Sequence, residues 1–218
     1  DGLIDELNPD DKGARLVANP GCYTSTSILA MVPLIEAGAI ETDTIIIDSK
    51  SGMTGAGRSA KEEMLFSEVS EGMHAYGVGG HRHMAELDQE FSDAASRPVM
   101  PSFTAHLIPM NRGIYATHYV KLSGSTSAEQ LHRILADFYS GQPFVRVLDF
   151  GMVPQSRHVR GSNMTYIGVV ADRGTGKAIV ISTLDNLVKG ASGQAVQNMN
   201  VMLGLPETTG LDQIALFP

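Results

Sequence analysis

Cysteine is nearly absent: among 218 residues only Cys22 carries a thiol. That excludes an internal disulfide framework and any Cys-rich zinc site. Positive charge is also scarce, with 16 Lys and Arg against 24 Asp and Glu and a net charge of −8. Phosphate backbones need clustered cations, so a nucleic-acid partner is not expected. No apolar run approaches the ~18 residues of a membrane span, and no membrane partner is expected. No basic-then-apolar leader follows Asp1, so a cytoplasmic location is expected for a whole protein or a piece of one. Internal repeats and low-complexity linkers are lacking too. Residues 1–218 therefore read as one domain.

What is present suits a folded core. The chain is 43% hydrophobic and 18% charged, which is neither a disordered nor a coiled-coil composition. A chain of this length buries a sizeable core without staples. The 23 glycines imply many tight loops.

Arg15–Ala18 reads as a short apolar strand ending at the turn Asn19-Pro20-Gly21. Thr24-Ser25-Thr26 opens a mostly buried helix through Ile35, which Pro33 should kink or shorten. Thr44–Asp48 reads as a buried strand, Lys50–Arg58 as a Gly-rich loop and Ser59–Ser67 as a short helix. Gly72–His83 reads as a loop and Met84–Ala95 as a helix. Strands are expected at Phe103–Pro109, Ile114–Leu122, Val145–Leu148, Tyr166–Ala171 and Ala178–Thr183. Helices are expected at Ser127–Tyr139 and Asn186–Leu203. Several strands follow one another without a helix between them. That is an α+β pattern with a mixed, largely antiparallel sheet and helices on one face.

Cys22 is the sharpest chemical feature. At a helix start, unpaired N–H groups and the helix dipole stabilise a thiolate, so an acidic, nucleophilic thiol is expected. The same N–H groups could hold an oxyanion. The plainer alternative is a small buried hydrophobe. Gly79-Gly80-His81-Arg82-His83 offers histidines as acid/base partners. A metal pair with His74 and a solvent-facing His pair are the competing readings; no metal is expected. Gly55, Gly57 and Ala60 formally fit G-x-G-x-x-A, but the strand-turn-helix context of a dinucleotide site is missing. That loop with Arg58 could instead bind a phosphate or carboxylate, or simply be surface. Arg112, between two strands, could clamp a carboxylate or sit solvated on a hairpin. Gln155–Asn163 has the same ambiguity. The last helix carries Asn186, Ser192, Gln194, Gln197, Asn198 and Asn200. So many amides suggest that one face meets a polar ligand or another domain.

Several motifs in order carry a resemblance. They are Ala18-Asn19-Pro20-Gly21-Cys22-Tyr23, Ser51-Gly52 with Gly55-Ala56-Gly57-Arg58, and His81-Arg82-His83 with Glu86. Ile108-Pro109 with Arg112-Gly113, and Asn186 through Ala195, extend the series. Together, from about Leu16 to the C-terminus, they resemble the N-acetyl-gamma-glutamyl-phosphate reductase family. That family belongs to the superfamily of aspartate-semialdehyde and glyceraldehyde-3-phosphate dehydrogenases. Ala85 stands where the family usually shows Pro, and Met53-Thr54 varies its usual loop.

The resemblance implies the C-terminal catalytic and dimerisation domain of such an enzyme. The family's N-terminal NADP-binding Rossmann domain is not in this sequence. Residues 1–21 and 186–218 would pack against it. By the resemblance, Cys22 attacks the acyl phosphate and expels phosphate, and hydride from NADPH reduces the thioester to the semialdehyde in arginine biosynthesis. His81 takes the acid/base role, with His83 second. Arg58, Arg82, His83, Glu86 and Arg112 fall on the substrate side. Gly52, Gly55 and Asn186 fall on the cofactor side. A homo-oligomer, dimer or tetramer, is implied. Three rivals stand beside this reading. They are an acyl-phosphate reductase of lysine synthesis, a non-redox Cys-His hydrolase or acyltransferase, and a non-catalytic binding domain.

Overall fold

A computed structural model describes residues 16–59 and 61–217. Residues 1–15 and Ala60, and with them Arg15 of the first expected strand, lie outside the described residues. The strands are β1 (Ile46–Gly52), β2 (His74–Tyr76), β3 (Ser102–Ile108), β4 (Ile114–Lys121), β5 (Val145–Val147), β6 (Thr165–Ala171) and β7 (Lys177–Leu184). They form one seven-stranded sheet in the order β2-β3-β1-β4-β7-β6-β5. The β1–β3 and β5–β6 pairs are parallel, and the β1–β4, β2–β3, β4–β7 and β6–β7 pairs are antiparallel. The sheet is thus mixed and largely antiparallel, as the sequence of strands implied.

The helices are α1 (Cys22–Glu36), α2 (Phe66–Val69), α3 (Met84–Ala95), α4 (Ala128–Phe138) and α5 (Gly193–Met202). Helix α1 lies against β4 and β7, flanked by α3 and α4. Ile28, Leu29, Met31 and Leu34 of α1 share a buried core with Leu87 and Phe91 of α3 and Leu131 and Leu135 of α4. Ile47, Ile114, Val120, Val169 and Val180 close it from the sheet. Alternation along the strands leaves the opposite face open. Ile46 and Tyr119 are 50% and 42% exposed there, and Asp48 binds Lys50 at 2.6 Å and His106 at 3.1 Å.

Helix α1 is buried nearly all round, so the hydroxyls of its first turns need partners. Thr24 and Thr26 donate to the carbonyls of Gly21 and Cys22. Ser25 donates to Gln194, and Ser27 meets His118 Nε2 at 3.1 Å. Pro33 neither ends nor shortens this helix, which runs on to Glu36. A proline leaves the carbonyl four residues back without its N–H. That carbonyl, of Leu29, accepts instead from the Tyr139 hydroxyl at 2.7 Å.

Other boundaries move for physical reasons. Leu16–Pro20 is not a strand, because no described strand pairs with it and an extended segment becomes sheet only through a neighbour. Strand β1 starts at Ile46 and continues through Gly52, where a loop was expected, since β3 and β4 pair with it on both sides. The expected helix at Ser59–Ser67 resolves into the 3₁₀ turn Glu62–Met64 and α2. The Gly72–His83 loop contains β2. The expected helix at Asn186–Leu203 is a π turn, Val188–Ser192, followed by α5. Gly190 N–H donates to Asp185 O and Ser192 N–H to Leu187 O, both five residues back, which is the π pattern. Helix α4 opens at a capping box between Ser127 and Gln130, as its Ser-led start suggested.

Candidate active site

Cys22 is the first residue of α1, after Gly21 in extended conformation. Position 21 needs glycine for space rather than backbone freedom. Its φ of −70° suits any residue, but a Cβ there would stand 2.5 Å from His83 Nε2. Both oxygens of the Glu86 carboxylate accept the Gly21 N–H, at 3.3 and 3.2 Å. Helix α3 therefore delivers His83 and Glu86 to the start of α1.

One cavity of about 430 Å³ collects Cys22, Tyr23, Gly55, Ala56, Lys61, Met64, His74, Tyr76, Gly77, Gly80, His81, Arg82, His83 and Leu107. Its lining includes Lys61 and Arg82 and, among the described residues, no carboxylate. In a chain of net charge −8, the Arg82 guanidinium in this lining favours an anionic ligand.

An aromatic frame holds the histidines. The His81 ring meets Tyr23, Tyr76 and Phe103 with centroids 5.7, 5.3 and 5.4 Å away, and His83 at 4.8 Å. Tyr76 donates its hydroxyl hydrogen to Tyr23, which donates to the His106 carbonyl. The His83 N–H donates to His81 Nδ1 at 3.2 Å, so neutral His81 carries its proton on Nε2. His83 Nδ1 is buried without a hydrogen-bond partner.

Burial lowers the His81 pKa, with the Arg82 charge adding to it. Burial, then His81 and Arg82, brings His83 down to about 4. Both rings are therefore neutral at pH 7. Burial also pushes the Cys22 thiol up, although the N–H groups of Tyr23 and Cys22 and the Arg82 guanidinium pull the other way. The acidic resting thiol expected from the helix start is thus corrected: desolvation outweighs the helix terminus.

The expected site residues divide accordingly. Cys22, His81, Arg82, His83 and Gly55 meet in the cavity, with Glu86 bound to the turn beside it. Arg58 is exposed and outside the lining. Arg112 is also outside it, paired with the buried Asp185 at 3.0 Å. Asp185 in turn accepts the N–H groups of Gly161 and Leu187. Gly52 lies against the Asn111–Arg112 backbone, 2.7 Å from a built Cβ. Asn186 accepts the Gly113 N–H and donates to Thr54. Gly52 and Asn186 thus lie outside the cavity lining, each against the protein's own Asn111–Gly113 segment. The sequence reading missed Lys61, Tyr23 and Tyr76 as lining residues. The signal for Tyr76 was its alternation with His74, which sets both on one face of a strand.

A mixed seven-stranded sheet with helices packed on one face is a fold shared with solved semialdehyde dehydrogenases. The aspartate semialdehyde dehydrogenase II crystal structure from Vibrio cholerae matches with a TM-score of 0.71 at 18% identity. The match covers 92% of this chain and 67% of that one. Residues 22–186 match the family described as semialdehyde dehydrogenase, dimerisation domain, and the chain belongs to it. Among curated relatives, the N-acetyl-gamma-glutamyl-phosphate reductase of Afipia carboxidovorans is 67% identical over 99% of this chain and 61% of its own length. That of Geobacter sulfurreducens is 56% identical over 100% and 63%. The probable chloroplastic reductase of Arabidopsis thaliana is 54% identical over 100% and 54%. The chain thus spans just over half to about three fifths of these relatives.

Proposed function

We propose that this chain is the catalytic and dimerisation part of an N-acetyl-gamma-glutamyl-phosphate reductase in arginine biosynthesis. It would convert N-acetyl-L-glutamyl 5-phosphate to the 5-semialdehyde and phosphate. The observation that carries the reading is the cavity that joins Cys22 to His81 and His83 under Arg82 and Lys61. The identity to reductases of that name supports the substrate.

The Cys22 sulfur attacks the acyl carbon. The S–C bond forms as the bond from carbon to the phosphate oxygen breaks, and the thiol proton ends on the departing phosphate. Because the thiol rests protonated, its proton leaves as the acyl phosphate arrives. Arg82, beside Cys22, favours the thiolate and draws the anionic substrate. His81, neutral with its proton on Nε2, donates to the acyl oxygen as charge develops there. His83 and Glu86 hold the Gly21–Cys22 turn in place.

Reduction needs a nicotinamide cofactor. NADP, held by the part of the relatives that lies outside this chain, fits the reductase names. The groove of Val17, Asn19, Met199, Met202 and Leu203 is where a Rossmann domain would sit. Residues 1–15 of the surface proposed to meet it lie outside the described residues. An unpaired Cys22 that must stay reduced suits the cytoplasm.

The test uses the full-length protein. Cys22→Ala is expected to abolish the acyl-enzyme seen by mass spectrometry, and His81→Ala to lower turnover about 10²–10⁴-fold. Acylation that survives Cys22→Ala would overturn the reading. Sustained phosphate release by this chain without NADPH would favour the hydrolase instead.

A further inference from the structure

The turn Val188–Ser192 stands directly behind the nucleophile. A Cβ built on Gly190 would lie 2.7 Å from Cys22 Cβ, 3.3 Å from its Cα and 3.2 Å from Leu184 Cδ1. Gly190 is not among the residues of positive φ, so the backbone itself would accept any residue and only space demands glycine. The turn's peptide is thus the wall on which the Cys22 side chain is seated.

That wall is held rigidly. Its own five-residue bonds fix its shape, and Asp185, anchored by Arg112, accepts the N–H groups of Leu187 and Val188. Lys189 is buried and donates to Gln197 at 2.8 Å. On the other side, Asn19 donates to the Ala191 carbonyl, tying the turn to the segment that leads into Cys22. Interiors packed to this density transmit a misfit rather than absorb it. Single-turn π insertions recur at functional sites.

We propose that Gly190 is a positioning residue for the reaction, setting the orientation of the Cys22 side chain by backbone contact. The proposal rests on the reading of Cys22 as the nucleophile. It accounts for a glycine that the backbone conformation does not require.

The experiment compares wild type with Gly190→Ala in the full-length protein, reading kcat, KM, Tm and the rate of Cys22 carbamidomethylation by peptide mapping. The expected result is kcat lowered about 10²-fold, KM held, and a changed alkylation rate. Wild-type kcat and alkylation in a folded variant would overturn the proposal. So would a raised KM with kcat held, which would put the turn on the substrate. Should Gly190→Ala fail to fold, the double variant with Cys22→Gly decides. Recovery of folding supports the contact, and continued failure overturns it. Retained turnover in Cys22→Ala would instead sink the nucleophile reading.

Discussion

The imidazole of His83 rests on the α-carbon of Gly21, so closely that a Cβ there would lie 2.5 to 2.9 Å from three ring atoms. Gly21→Ala therefore displaces the ring, which also packs against His81 with centroids 4.8 Å apart. Overpacking of this kind costs typically about 1–3 kcal/mol, which a folded domain survives. The catalytic cost should be larger, because misplacement of about 1 Å can cost 10²-fold. Turnover of the full-length variant is expected to fall by about that factor while Tm drops modestly. Wild-type turnover would show that His83 is not needed where it stands.

Tyr139 completes α1 at a distance. Its hydroxyl serves the Leu29 carbonyl that Pro33 strands. Tyr139→Phe should cost about 1–3 kcal/mol, the price of a buried acceptor left unpaired. Pro33→Ala, made in the same chain, restores an N–H four residues on and should recover part of that loss. Urea unfolding of the single and double variants checks this. Additive losses would refute the pairing.

The pattern of what was legible follows from range. Strand and helix order came through because alternation and buried runs such as Ile28–Ile35 are local. Cys22 with His81, Arg82 and His83 was legible from local motifs and family resemblance. The survival of α1 past Pro33 was not, because its remedy lies on Tyr139, at the end of another helix. Strand β1 was cut short because Lys50, Ser51 and Gly52 look like loop residues until β3 and β4 pair with them. Arg112 drew attention as a carboxylate clamp, and the carboxylate it holds is the protein's own Asp185. The thiol's pKa was misjudged because helix starts are visible in sequence and burial is not.

That thiol gives a pH prediction. With burial raising Cys22, iodoacetamide alkylation of the chain should climb with pH to a midpoint above the free-thiol value of about 8.5. A midpoint below it would show that the helix terminus and Arg82 prevail over burial.

His118 gives another. It is fully buried between Val180 O, at 3.0 Å, and Ser27 Oγ, and burial lowers its pKa to about 4. The folded state thus binds a proton less readily than the unfolded chain, whose histidine titrates near 6.5. Its contribution is fully present above about pH 6.5 and is lost as pH falls toward 4. At pH 5 that is about 2 kcal/mol relative to pH 7. Urea unfolding at the two pH values should show a loss of that order, and His118→Asn should flatten it. An unchanged slope in the variant would assign the acid sensitivity elsewhere.

The open face of the sheet sets the final test. Ile46, Tyr119, Ile179 and Val170 are successive cross-strand neighbours on β1, β4, β7 and β6, forming an apolar row beside the Asp48, Lys50 and His106 cluster. Nearer β6 the face is already covered, since a Cβ at Gly168 would meet the Met152 carbonyl at 2.4 Å. The uncovered part therefore centres on β1 and β4. Membership of a dimerisation-domain family and an antiparallel sheet with a bare apolar stripe both point to a second copy there. Tyr119 stands out from the sheet, 42% exposed, so Tyr119→Asp should leave the core intact. In a self-complementary interface the new charge appears twice, buried without a partner on each copy, which disfavours association. Light scattering at micromolar concentration should find wild type associated and Tyr119→Asp monomeric, with unchanged circular dichroism. A variant that stays associated would move the interface off this face, and a monomeric wild type at high micromolar concentration would remove it from this chain.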